Sequence, residues 1–395
     1  MYDSAYFDRI INRKNTSSLK YDFGIERKGR DDQIPLWVAD MDFPVPDEVL
    51  GALKERVKHG IFGYTDPKAD YIDSIRNWFF YKHNWDIRPE SIIVTPGVVY
   101  AISIAINAYT KTGDSILIQQ PVYYPFRQCV IENHRKLINS PLIYEGGRYR
   151  MDYDDIEKRI KEDHVKMILL CNPHNPVGRV WKKEELETLG DIALKYGVVV
   201  FSDEIHCDIV YPGIKHIPFA TVKQEFENIV VVGTSPSKTF NMAGLQISNI
   251  VIPDENLRQK FRRQNSAAGY SQGNVLGMTA CKAAYDKGDE WYRGMLSYLK
   301  ENLDHIRNTI NEKLDGIKLV EPEGTYLVWL DCSGLMLSAD ELSNLINDKA
   351  KLWLDEGKIF GEESTLFERM NIACPRSILV KALKQLEHAL KENSR

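Results

Sequence analysis

Short runs of aliphatic residues recur through the middle of the chain, and each stops at a polar cluster. Those at 92–94, 116–118, 167–170, 198–201 and 229–232 are too brief for buried helices and lack alternation, the pattern of strands covered on both faces. Between them apolar residues return at helical spacing. Ile102, Ile106 and Tyr109 mark a helix over 98–111, and Leu186, Leu189 and Ala193 mark one over 183–196 that stops at Gly197. Strands alternating with helices predict a mainly parallel sheet with helices on both faces, an α/β fold.

The flanks read differently. Residues 1–48 hold no long periodic segment and end in Leu36-Trp-Val-Ala-Asp40-Met-Asp-Phe-Pro-Val-Pro46, an extended arm whose apolar centre is expected at Trp37 and Val38. Helices are expected over 47–57 and 71–83, then a long one over 291–314 with Met295, Leu299, Ile306 and Ile310 inward and Gly316 as its stop. A strand at 325–330 and helices at 339–352 and 377–390 complete a smaller α+β unit. At 395 residues one core is not enough. The expected division is an arm at 1–48 that also joins the small domain, a large domain at 49–287 and a small domain at 288–395.

Composition narrows the function. A net charge of -5 gives no basic field for nucleic acid. The six cysteines are scattered without a CxxC pair, so they read as reduced, buried side chains rather than metal ligands. The amino terminus is too polar for a signal peptide, and no apolar run approaches the roughly 18 residues of a membrane span. A cytoplasmic protein with no membrane partner is expected.

Five strand ends carry five clusters: Thr95-Pro-Gly97, Gln120-Pro-Val-Tyr123, Asn172-Pro-His-Asn175, Ser202-Asp203-Glu and Ser235-Pro-Ser-Lys238. In open α/β sheets ligands bind beyond the carboxyl ends of the strands, so these clusters can converge on one crevice. Each supplies a part that pyridoxal phosphate needs. The Lys238 amine can form a Schiff base with the aldehyde, and the Asp203 carboxylate can hold the pyridine nitrogen protonated. Gly97 opens a helix whose free amides seat a phosphate, with Ser235 and Ser237 as further donors. Tyr123 offers a face for the ring, and the Asn175 amide can donate to the ring hydroxyl oxygen. Singly, each residue also suits a plainer role: Asp203 a helix cap, Asn175 a turn former, Tyr123 a core aromatic, Gly97 a turn.

Ser235-Pro-Ser-Lys238-Thr-Phe-Asn, Ser202-Asp203-Glu-Ile-His206, Asn172-Pro-His-Asn175-Pro-Val-Gly178 and the Trp37-Val-Ala-Asp-Met-Asp-Phe arm together resemble the cystathionine β-lyase (MalY/PatB-like) branch of the class I/II aminotransferases. The resemblance spans about 36–377 and implies a fold-type I pyridoxal phosphate enzyme. It implies that Lys238 holds the cofactor aldehyde, Asp203 the pyridine nitrogen, Asn175 the ring hydroxyl and Tyr123 the ring face. Gly97, Val98, Ser235 and Ser237 would bind the phosphate. Tyr64 would reach that phosphate from a neighbouring subunit of a homodimer. Arg369, in Phe367-Glu-Arg-Met-Asn, would grip the substrate α-carboxylate, for which a bidentate guanidinium is suited; a solvated surface arginine is the plainer alternative.

The chain departs from the aminotransferase pattern twice. Gln246 stands where many have a phosphate-binding arginine, and His206 where many have tyrosine. The latter reads as a buried histidine bonded to backbone, or as a group tuning the cofactor hydroxyl. The expected activity is elimination from L-cystathionine or another S-substituted cysteine to a thiol, pyruvate and ammonia. Transamination is the alternative the same residues would serve. A non-catalytic sensor on this fold is disfavoured by Lys238, Asp203 and Arg369 standing together.

Overall fold

The computed structural model describes residues 2–393. All five expected central strands are present, as β1 (Ile92–Thr95), β2 (Ser115–Ile118), β4 (Val165–Cys171), β5 (Val199–Asp203) and β6 (Val230–Thr234). Two more, β3 (Lys136–Asn139) and β7 (Ser248–Val251), complete a seven-stranded sheet in the order β1-β7-β6-β5-β4-β2-β3. Strands β2 to β6 run parallel, and β7 lies antiparallel between β1 and β6. The register pairs Cys171 with Asp203 and Asp203 with Gly233, so the carboxyl ends of β4, β5 and β6 stand side by side.

Both sheet faces are dry, which is why these strands read as unbroken aliphatic runs. On one face Ile102 and Ile106 of the helix Val98–Tyr109 meet Phe201, Val231 and Ile250; on the other Trp181 and Leu186 meet Val200 and Val232, all fully buried. Burying each such side chain contributes about 1.5–3 kcal/mol. The aliphatic run of β6 stops at Gly233 for a steric reason. A Cβ there would meet Val98 Cγ1 at 2.8 Å and Phe201 Cε1 at 3.0 Å, so only glycine lets the helix start approach the strand end.

The smaller antiparallel sheet comprises β8 (Lys318–Val320), β9 (Leu327–Asp331), β10 (Asp355–Glu356) and β11 (Phe367–Asn371), in the order β8-β9-β11-β10. It packs with the long helix Asp289–Lys313 and the closing helix Arg376–Asn393. The helix expected over 339–352 is shorter. It runs Ala339–Asn344, widens to a π-turn at Leu345–Lys349 and ends before Lys351, whose φ of 51° is left-handed. Leu352–Trp353 is instead a strand pairing with Ile34–Pro35 of the amino-terminal arm. To the helices that the sequence pattern predicts, the structure adds Pro125–Glu132, Tyr153–Glu162, Glu255–Ala267 and Val275–Lys287.

The buried centre of the arm is Leu36, Met41 and Phe43, while Trp37 is half-buried and stacks on Trp353 with ring centroids 4.4 Å apart. The difference from the expected Trp37 and Val38 arises because the arm is held by its backbone. Asn371 Nδ2 donates to the carbonyls of Val38 and Asp40 at 2.6 Å each, and Asn241 Oδ1 accepts from the Met41 amide at 2.9 Å. All six cysteines are buried and unpaired. Among the described residues no helix is long and apolar enough to cross a membrane.

Candidate active site

Beyond the ends of β4, β5 and β6 lies a cleft of about 180 Å³. Gly97, Val98, Tyr123, Asn175, Asp203, His206, Ser235, Ser237 and Lys238 all line it, so the separate strand-end clusters do converge. Asp203 is the last residue of β5, and Lys238 sits in the single helical turn Pro236–Thr239 that follows β6. Ser235 caps that turn: its Oγ accepts from the Ser237 amide at 3.0 Å and donates to the Ile247 carbonyl at 2.7 Å. Asp203 caps no helix; Oδ1 accepts only from the Ile205 amide, at 3.2 Å.

Burial sets the charges. It pushes the Asp203 carboxyl up to about 7, against the partial relief of the Ile205 amide and the Lys238 charge. It pulls the Lys238 amine down to about 8, reinforced by the Arg369 charge and opposed by Asp40 and Asp203. The amine thus loses its proton far more readily than an ordinary lysine, and Nζ donates to the Ala39 carbonyl at 2.5 Å. His206 is held well below its ordinary value by burial and then by the Lys238 and Arg369 charges, so its imidazole is neutral. The backbone bond expected for it is not made: its Nδ1 is buried without a partner, and its ring meets Tyr326 edge to face at 5.8 Å.

Arg369 is no surface residue. It is 3% exposed and lies behind Asn175, whose Oδ1 accepts from Nη1 at 2.9 Å; Nη2 donates to the Trp37 carbonyl at 3.0 Å and to Asp355. Asp355 is the neighbouring strand's residue in register with Arg369, and the arginine offsets part of the upward push that burial gives its carboxyl. The guanidinium Nε is buried and unpartnered, and so free to donate. Tyr64 stands apart from the cleft, 97% exposed in a surface hollow beside Tyr270.

Three features fit the residues to pyridoxal phosphate. The helix Val98–Tyr109 starts at Gly97 with no side-chain cap, and a Cβ at Gly97 would meet nothing within 4 Å, so an anion can approach the free amides of the first turn. A buried acid lifted as far as Asp203 lacks a full cationic partner, which a protonated pyridine nitrogen supplies. The Asn175 side chain spends its oxygen on Arg369 and keeps its amide nitrogen for the cleft it lines. The seat is weak in formal charge, since Lys238 is the only lysine or arginine among the lining residues and Gln246 is among them.

Several contributors carry no sequence signal. Ala39 acts through its carbonyl, which also accepts from Tyr326 Oη at 2.8 Å, and Asp355 reaches Arg369 only through strand register. The Phe360 ring, over which the Arg369 guanidinium lies at 4.8 Å, is likewise brought in by the fold alone.

The family of class I and II aminotransferases matches residues 31–386 of the chain. Cystathionine β-lyase PatB of Bacillus subtilis (strain 168) is 41% identical over 384 residues, covering 97% of this chain and 99% of that protein. Among solved structures, a pyridoxal phosphate-bound protein of Clostridium difficile 630, provisionally assigned as an aminotransferase, superposes with a TM-score of 0.95 at 45% identity, covering 97% of this chain and 99% of that one. Cystalysin of Treponema denticola, which contains pyridoxal 5'-phosphate, gives a TM-score of 0.95 at 37% identity, covering 98% and 99%.

Proposed function

The chain belongs to the class I and II aminotransferase family, and we infer that it works there as a pyridoxal phosphate-dependent carbon–sulfur lyase of the cystathionine β-lyase type. The substrate class is L-cystathionine or a related S-substituted cysteine, released as a thiol, pyruvate and ammonia. The observation that carries this reading is the meeting of a depressed lysine amine, a raised carboxyl and an uncapped helix start in one cleft, in a chain so similar to a cystathionine β-lyase.

The bound cofactor supplies an electron sink for the carbanion left when a substrate Cα loses its proton. Lys238 would hold the cofactor aldehyde and, once displaced by the substrate amine, take the Cα proton at Nζ as general base; an amine with a pKa near 8 has the free base available at neutral pH. Asp203 would pair with the pyridine nitrogen and keep it protonated. Tyr123 would cover one ring face and Asn175 would donate to the ring hydroxyl. The Gly97 and Val98 amides with Ser235 and Ser237 would seat the phosphate, and neutral His206 would line the ring side of the cleft. Arg369, aimed by Asn175 and Asp355, would fix the substrate carboxylate and so orient the Cα–H bond.

The exposure of Tyr64 fits a residue that serves a second copy of the chain, so a homodimer with Tyr64 reaching the partner's phosphate belongs to the proposal. So does the division into an arm at 1–48, a large domain at 49–287 and a small domain at 288–395. The test is pyruvate release from thioether and disulfide amino acids by wild type and Lys238→Ala. Release by wild type and its loss in the variant are expected; equal release by both would refute the assignment of Lys238. Transamination is the reading that the Clostridium difficile protein's provisional assignment favours, and it requires a 2-oxo acid for turnover.

A further inference from the structure

The Asp203-Glu-Ile-His206 segment continues into Cys207 and Asp208, and neither Glu204 nor Asp208 has a part in the cleft. Both carboxylates are nevertheless buried, behind the residues that line it. Glu204 is fully buried and Asp208 is 1% exposed. Asp208 lies at the centre of four bonds. Its carboxylate accepts from Trp78 Nε1 at 3.1 Å, His83 Nε2 at 2.7 Å and Thr239 Oγ1 at 2.7 Å, and its carbonyl accepts from Tyr292 Oη at 2.7 Å. Glu204 accepts from Ser202 Oγ at 2.8 Å, the Phe219 amide at 2.9 Å and His216 Nε2 at 2.8 Å. The two sets touch where the His83 and His216 rings meet edge to face at 5.4 Å.

His83, Cys207 and Asp208 come close enough to hold a cation. The arrangement is nonetheless that of a hydrogen-bond network: donors occupy both Asp208 oxygens, and burial keeps the Cys207 thiol protonated. The network's place in the chain gives it a use. Thr239 adjoins Lys238, and Glu204 adjoins Asp203. Lys238 rides on a single turn of helix, too short to hold itself by backbone bonds. Asp208 lies on irregular chain after β5, but its partners Trp78, His83 and Tyr292 belong to the helices Ala69–His83 and Asp289–Lys313. Around Asp208 the buried donors of Trp78, His83, Thr239 and Tyr292 are all paired, and a buried network satisfied in this way fixes its members rigidly; in the Glu204 set His216 Nδ1 alone is left without a partner.

We propose that Asp208, acting through the Thr239 hydroxyl, is a positioning residue for Lys238, and that the Glu204–His216 pair does the same for Asp203, the two forming one buried brace behind the cofactor cleft. The inference rests on the cofactor reading above, since it concerns how Lys238 and Asp203 are held toward that group. Placement errors near 1 Å at a reacting group cost about 100-fold in rate, which sets the scale of the effect.

Thr239→Val removes the donor at constant shape, and Thr239→Ser keeps it. Apoenzyme of each is titrated with pyridoxal phosphate by absorbance, and the holoenzymes are assayed for kcat and KM. Thr239→Val is expected to raise the cofactor Kd about tenfold and lower kcat about 10- to 100-fold with KM within about threefold, whereas Thr239→Ser stays within about threefold of wild type in all three. Cofactor affinity and kcat unchanged in Thr239→Val, or lost equally in Val and Ser, would overturn the proposal. If Thr239→Val does not accumulate as folded protein, Tyr292→Phe, which removes only the hydroxyl on the Asp208 carbonyl, carries the test. A Kd raised at least about threefold supports the brace, and an unchanged Kd refutes it. Because the titration is read on apoenzyme, it stands even if wild type releases no pyruvate, a result that would defeat the proposed activity alone.

Discussion

Replacing Asp203 by Asn should stabilise the apoprotein while impairing the enzyme. Burial lifts this carboxyl from its ordinary 3.8 to about 7, a shift of roughly three units at about 1.4 kcal/mol each. The folded chain then binds a proton that the unfolded chain releases. The stability this proton contributes therefore falls as pH rises from about 4 to 7, and that contribution is gone above the window. The ceiling on this penalty is about 4 kcal/mol at pH 8 and about 1.7 kcal/mol at pH 5. Asn has the same shape and still accepts from the Ile205 amide, so it escapes the penalty; allowing for relaxation and for the lost attraction to Lys238, a gain of about 2 kcal/mol at pH 8 is expected. At about 2.1 cal/mol/K per residue, 395 residues give an unfolding entropy near 0.8 kcal/mol/K, so Tm should rise by about 2–3 °C. The assay is thermal unfolding of cofactor-stripped wild type and Asp203→Asn at pH 8 and pH 5, beside a cofactor titration. The gain should shrink by more than half at pH 5, and the variant should bind pyridoxal phosphate more weakly. An apoprotein variant less stable than wild type at pH 8, or a gain independent of pH, would refute the reasoning.

Four further outcomes follow from the same geometry. Lys238→Ala should lower pyruvate release by about 1,000-fold or more, since nucleophile and base leave together, and in wild type the rate at which apoenzyme captures pyridoxal phosphate should climb with pH up to about 8 and then level, as read by absorbance. Arg369→Lys keeps a charge for Asp355 but cannot also span Asn175 and a carboxylate; steady-state kinetics should show KM raised about 10- to 100-fold, with kcat the less affected. Gln246→Arg adds a cation to a cleft whose only lysine or arginine is Lys238, so the cofactor Kd should fall about tenfold in a titration at low salt.

The central sheet was legible in the sequence because its parallel strands are buried on both faces and write themselves as aliphatic runs. Of the strands without such a run, β3 and β8 are only partly buried, and β7 and β11 bury polar side chains. Ser248 and Asn249 of β7 are fully buried, but they are satisfied by Thr95 Oγ1 at 2.7 Å and Tyr71 Oη at 2.7 Å, partners more than 150 positions away. Likewise β11 buries Glu368, Arg369 and Asn371 together, a sequence no hydrophobic pattern marks as interior. The signal for Arg369 lies in the family motif around it rather than in any hydrophobic pattern. The cleft residues at strand ends were readable because sheet topology alone collects them, whereas Asp355, Ala39 and the Asp208 network depend on register, backbone carbonyls and long-range bonds that leave no local trace.

The most direct test of the account is product stoichiometry from L-cystathionine with the cofactor-loaded protein and no 2-oxo acid present. One pyruvate, one ammonia and one thiol per substrate consumed is the predicted result. Full cofactor occupancy with no pyruvate from any thioether or disulfide amino acid, or turnover only after a 2-oxo acid is added, would contradict it.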